Sequence, residues 1–127
     1  LKPGALTAQE WEMVRLHPYH TQRILDRVRG FQSLAFVASS HHERLDGRGY
    51  FRGLRADEVP QGARILAVAD VYEALTSERP YRHALAPEEA LATMERDRDV
   101  GLAGDCFEAL IQVVQAGEER ATEAGAA

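Results

Sequence analysis

Residues 63–77 restrict the fold more than any other stretch of this chain. In Arg64-Ile-Leu-Ala-Val-Ala-Asp70-Val-Tyr-Glu-Ala-Leu75, apolar side chains fall on every face of a helix rather than along one stripe. A helix that is apolar all round is a central one, covered by its neighbours. The rest of the chain must therefore supply helices, and the apolar periodicity agrees. Thr7-Ala8-Gln9-Glu10 is a capping box that predicts a first helix over 8–17, with Trp11, Val14 and Leu16 on it. Pro18 suits the first turn of a second helix, with Ile24, Leu25 and Val28 as its stripe and Gly30 at its end. Phe31, Leu34, Ala35 and Ala38 recur at spacings of three and four and place a third helix over 31–43. Pro87-Glu88-Glu89 opens a fifth, and a glycine-bearing turn at 101–104 leads into a sixth over 105–117.

No strand-like alternation, repeat or low-complexity linker interrupts this pattern. The expected fold is one all-α domain, a bundle of five or six helices over 1–117, followed by a flexible polar tail over 118–127. A chain of 127 residues suffices for one such core. Residues 44–62 hold four glycines and Pro60 without periodicity, and a connection of that length in a compact domain is often functional.

Charge and cysteine content narrow the function. Lys plus Arg is 15 against 20 Asp plus Glu, a net charge of -5. That balance disfavours duplex nucleic acid, which needs a broad basic face. It leaves room for a small phosphorylated ligand held by a few arginines. Cys106 is the single cysteine, so an intrachain disulfide and a Cys-cluster zinc site are excluded, and a reducing cytoplasm is the expected compartment. No apolar run reaches the roughly 18 residues of a membrane span, so no membrane partner is expected.

Three groups of residues stand out from a plain helical domain. His41 and His42 close the third helix and Glu43 follows; neighbouring imidazoles there suit either a metal cluster beside a helix end or a solvated helix C-terminus. Asp70 sits inside the most apolar helix, where a buried carboxylate needs a cation, a metal or several donors. Arg48, Arg52 and Arg55 lie in the glycine loop with Gly47, Gly49 and Gly53, and Arg79 and Arg82 flank Pro80-Tyr81. Arginines bind phosphate in a planar fork, Tyr50, Phe51 and Tyr81 offer stacking faces, and each arginine taken singly is also an ordinary surface charge. His17 and His20 are one helical turn apart, a usable ligand spacing that is commonly incidental. Cys106 opens an apolar helix and reads as core, and His83 carries no separate signal.

Taken in order, His17-Pro18, then His41-His42-Glu43-Arg-Leu-Asp46-Gly47-Arg-Gly49-Tyr50, then Arg64 to Ser77, then Arg79-Pro80-Tyr81-Arg82 resemble the C-terminal two thirds of an HD-GYP domain. This is a branch of the HD metal-dependent phosphohydrolases, and the likeness covers about residues 1–115. It implies an all-α, cytoplasmic bacterial enzyme that hydrolyses cyclic di-GMP by in-line attack of a metal-bound hydroxide, using iron, manganese or zinc. It implies His17, His41, His42 and Asp70 as metal ligands and Arg79 and Arg82 as the pair facing the ligand's phosphates. It further implies Gly47, Gly49 and Tyr50 as the signature loop lining the pocket, with a diguanylate cyclase (GGDEF) protein as a candidate partner.

The family's His-Asp dyad lies N-terminal to the segment that begins this chain. The reading is therefore an N-terminally truncated domain, weakly active or inactive alone, whose uncovered fourth helix could pair with a second copy. The alternative is a degenerate, non-catalytic module that binds cyclic di-GMP or a GGDEF partner. Phe51 stands where the signature has proline, Glu73 where the family has Asp, and His20 near a usual Gly.

Overall fold

The computed structural model describes residues 4, 6–79 and 82–125. Six α-helices follow one another: α1 (Ala8–Arg15), α2 (His17–Leu25), α3 (Gln32–Ala38), α4 (Gln61–Thr76), α5 (Pro87–Glu95) and α6 (Gly104–Gly125), with a 3₁₀ turn at Ala56–Glu58. Among the described residues there are no strands, only isolated bridges at Asp46–Arg55, Arg79–Arg82 and Arg98–Leu102. The all-α expectation holds. No described helix is long and apolar enough to cross a membrane.

Local chemistry sets several helix starts as the sequence predicts. The Thr7 hydroxyl accepts the Glu10 N–H and the Glu10 carboxylate accepts the Thr7 N–H, closing the capping box. Pro18 lies in the first turn of α2 and Pro87 in the first turn of α5. The core lies between α4, α5 and α6, where Ala67, Val68, Met94, Leu102, Cys106 and Phe107 bury one another. Phe107 and Met94 are its largest fully enclosed side chains. Cys106 is core, as expected. A second pairing joins α2 to α3, and α3 leans on α4.

Four expectations need correction. First, α3 ends at Ala38, five residues early, because the hydroxyls of Ser39 and Ser40 both turn back onto the Phe36 carbonyl and draw the chain out of the helix. His41 and His42 therefore occupy the turn beyond α3 rather than its last turn. Second, α2 ends at Leu25, and its expected stripe is open: Ile24 and Val28 are exposed. Third, α4 packs against α3, α5 and α6 but is not covered all round as its apolar pattern alone implies, and the open apolar face expected of it from the HD-GYP resemblance is present. Ala63, Ala67 and Val68 are buried, while Ile65 is 54% exposed and Leu66 43%. Fourth, α6 runs on to Gly125 through the stretch read as tail. Pro80 and Tyr81, and with them the stacking role considered for Tyr81, lie outside the described residues.

Candidate metal centre

Three imidazoles from two parts of the chain meet at the junction of α2 with the turn after α3. His17 opens α2, and its Nδ1 lies 2.6 Å from the Val14 carbonyl oxygen. His41 Nδ1 lies 2.8 Å from the Ala38 carbonyl oxygen. A carbonyl only accepts, so Nδ1 carries a proton in both rings, and in the neutral form of each ring Nε2 is the atom with the lone pair. Those two Nε2 atoms face each other at 3.0 Å. Such a pair is held together by whatever cation the two nitrogens share, a proton or a metal ion. Backbone carbonyls that hold the far ring nitrogen are also how ligating histidines are oriented in metal sites.

The His42 ring lies 4.2 Å from His41 and 4.8 Å from His17, centroid to centroid. Burial, helped by the two neighbouring imidazoles and opposed by Asp70, pushes His42 down to about 4. It is neutral near pH 7 and free to donate a lone pair. One ligand atom from each of His17, His41 and His42 lies within 4.8 Å of the others. Asp70 stands outside that group, its Oδ2 3.6 Å from His42 Nδ1. Its side chain is 44% exposed, so the buried carboxylate expected from the helix pattern is half open to solvent on the uncovered face of α4.

The glycine loop is built against these histidines. Glu43, 2% exposed, accepts the backbone N–H groups of Arg52 (2.7 Å) and Leu54 (2.8 Å) and so folds the loop back on itself. The Tyr50 N–H donates to the His42 carbonyl at 3.1 Å. The Tyr50–Phe51 peptide is cis. Gly47 has φ +75°, a value that favours glycine. Gly49 serves by its lack of a side chain: a Cβ there would sit 2.5 Å from Arg44 N, 2.5 Å from Glu43 Cα and 2.6 Å from His42 O. Tyr50 lies with its ring 4.7 Å from that of His42. Burial, then the nearby Asp70, holds its phenol above the usual range, so it keeps its proton.

A family model described as HD domain matches residues 1–102. The chain belongs to the HD domain family. Among relatives of this HD domain chain, the 3'3'-cGAMP-specific phosphodiesterase 3 of Vibrio cholerae is 44% identical over 109 residues, covering 86% of this chain and 24% of that protein. The cyclic di-GMP phosphodiesterase response regulator RpfG of Xanthomonas campestris pv. campestris is 41% identical over 114 residues, covering 88% and 30% respectively. A cyclic di-GMP phosphodiesterase of Thermotoga maritima is 44% identical over 97 residues, covering 75% and 26%. The chain thus spans about a quarter to a third of the length of these relatives, and the likeness to HD-GYP phosphodiesterases read from the motifs stands.

Within this HD domain the arginines divide sharply. Arg52 is structural: its guanidinium bonds Gln22 and the hydroxyls of Ser39 (2.9 Å) and Ser40 (3.1 Å), and it lies over the rings of Phe36 and Phe51. Arg44 gives two hydrogen bonds to Asp46 and two to Asp97. Arg82 bonds the carbonyls of Ala74, Leu75 (2.9 Å) and His83 (2.8 Å), closing the end of α4. Arg79 pairs with Glu73 at 2.8 Å. His20 is exposed beside Tyr19 and outside the histidine group, and His83 is 99% exposed. Sequence reasoning missed Glu43 as the loop's anchor and Arg15, which lies over the Tyr50 ring at 5.7 Å. Glu43 had a signal, an acid directly after two histidines and before a glycine loop; Arg15 had none.

Proposed function

We propose that this chain is a portion of a metal-dependent phosphodiesterase acting on a cyclic dinucleotide of the cyclic di-GMP or 3'3'-cGAMP type. The observation that carries the reading is the pair of fixed imidazoles, His17 and His41, whose Nε2 lone pairs converge at 3.0 Å beside a neutral His42. The names of the relatives supply the substrate class. The donor set fits a divalent transition metal, since three imidazoles suit iron, manganese or zinc better than magnesium or calcium. In this proposal His17, His41 and His42 hold the ion and Asp70 adds a carboxylate from α4. A bound divalent ion supplies a Lewis acid for the phosphate and lowers the pKa of a coordinated water.

The chain's own residues perform the remaining work. Backbone carbonyls of Val14 and Ala38 hold Nδ1 of two imidazoles and so aim both Nε2 atoms at the centre. Tyr50 presents one face of a protonated phenol to the cleft. Arg79, on the far side of Glu73, stands ready to exchange that carboxylate for a phosphate, whereas Arg82 positions the turn by holding the end of α4.

The test is metal content by mass spectrometry on tag-free protein beside His42→Ala, followed by assay of the loaded chain with cyclic di-GMP and 3'3'-cGAMP. About one iron, manganese or zinc per chain, lost in His42→Ala, supports the centre, and release of a linear dinucleotide supports the reaction. Metal no higher than in the variant overturns the reading.

A further inference from the structure

We propose that Arg15 and Arg48 form an anion subsite on the Tyr50 side of the histidines and bind the second phosphate of the cyclic dinucleotide, a proposal that rests on the substrate class inferred above. Two clefts meet at His41. One, of about 240 Å³, is lined by Arg15, His41, His42, Arg48, Gly49 and Tyr50 among others. The other, of about 410 Å³, is lined by His41, Leu66, Ala69, Asp70 and Glu73 among others. Both are open to solvent, and His41 is in the wall of each. A cyclic dinucleotide bound across the histidines therefore places one half in each cleft, and the phosphate of the Tyr50-side half needs its own counter-charge.

Three arginines line that smaller cleft, and their partners separate them. Arg44 is committed to Asp46 and Asp97 through four hydrogen bonds. The Arg48 guanidinium makes no hydrogen bond or ion pair among the described residues, while its backbone N–H is pinned to Asp46 Oδ1 at 3.0 Å. Among the described residues the ion pair of Arg15 is with Glu12, at 3.8 Å, with both side chains more than half exposed, and its guanidinium lies over the Tyr50 ring. Such a pair is weak, and a phosphate displaces it readily. Arg15 comes from the last turn of α1 and Arg48 from the glycine loop, so the two approach Tyr50 from different elements. Tyr50 lines the same cleft, with His42 and the Arg15 guanidinium against its ring. Of the arginines the motif implies for phosphate, Arg82 is held by the α4 carbonyls, and Arg79 pairs with Glu73, which lines the other cleft.

The experiment is calorimetric titration of the manganese-loaded chain with cyclic di-GMP, comparing unchanged protein with Arg15→Gln, Arg48→Gln, the double variant, and Arg27→Gln, which removes the same charge from the exposed turn after α2. Metal per chain is measured on every sample. Each single variant is expected to raise Kd by about tenfold or more and the double by about a hundredfold, with metal content unchanged and Arg27→Gln within about twofold. Cyclic di-GMP bound equally well by Arg15→Gln and Arg48→Gln overturns the subsite and leaves the substrate reading intact. An equal loss in Arg27→Gln, or loss of metal in the variants, overturns it too, because the effect is then bulk charge or a disturbed histidine centre. No titratable binding by the unchanged metal-loaded chain overturns both readings together.

Discussion

Replacing Gly49 by alanine tests whether the glycine loop is seated on the histidines as described. The added Cβ would meet three backbone atoms, at 2.5, 2.5 and 2.6 Å. Carbon–backbone contacts normally sit about 1 Å farther out, and backbone cannot swing aside as a long side chain can. The loop must lift, at about 2–3 kcal/mol for overpacking, and lifting breaks the Tyr50 N–H bond to the His42 carbonyl, about 1 kcal/mol more. The expected loss is therefore about 3–4 kcal/mol. At roughly 2.1 cal/mol/K of unfolding entropy per residue, a chain of 127 residues converts this into about 11–15 °C of Tm. Gly117→Ala is the control: a Cβ there meets nothing within 4 Å, in the middle of α6, and helix propensity predicts a gain of about 0.5–1 kcal/mol. The assay is urea and thermal unfolding of both variants. The reasoning fails if Gly49→Ala unfolds within about 1 kcal/mol of the unchanged chain, or if both substitutions shift stability in the same direction.

Two further perturbations probe the arginine contacts around the loop. Hydrogen bonding to Arg44, then to the Arg48 N–H, holds Asp46 down at about 2 against 3.8 for a free aspartate. The unfolded chain therefore binds the proton first, so this contribution is complete above about pH 3.8 and is lost as pH falls toward 2. Asp46→Asn should flatten that part of the acid-unfolding curve relative to the unchanged chain; identical acid limbs would contradict the assignment. Arg52→Lys keeps the charge but cannot span Gln22, Ser39 and Ser40 at once or lie flat between two phenyl rings, and a loss of about 2–3 kcal/mol in urea unfolding is expected. A lysine variant of unchanged stability would show that Arg52 is ornamental.

What could be read from the sequence was what short-range chemistry decides. Thr7 with Glu10, and the prolines at 18 and 87, mark helix starts through bonds made within one turn. The end of α3 was misplaced because residues 39–43 hold no glycine or proline to mark a stop, while the deciding event is a pair of serine hydroxyls bonding a carbonyl three and four residues back. The all-round apolar pattern of α4 measures how much surface wants cover, not what lies over it. Ile65, Leu66 and Asp70 consequently turned out more exposed than expected. That His17 and His41, 24 residues apart, converge is invisible to periodicity and came only from the motif order. The arginines show the same limit. Their planar forks were evident, but which forks are already filled depends on partners such as Asp97, 53 residues beyond Arg44.

The Arg44 fork has a structural corollary. One planar group ties Asp46, in the loop that seats the histidines, to Asp97, in the turn between α5 and α6, and Leu45 N–H reinforces the tie by donating to the Gly101 carbonyl at 3.1 Å. The centre is thus fastened like a drawstring, with its knot more than 50 residues downstream of the bag's mouth. Transplanting the His-His-Glu and glycine segment into another scaffold would carry the donors without the knot. The smallest portable unit of this site reaches at least from α2 to the turn that delivers Asp97 and Gly101.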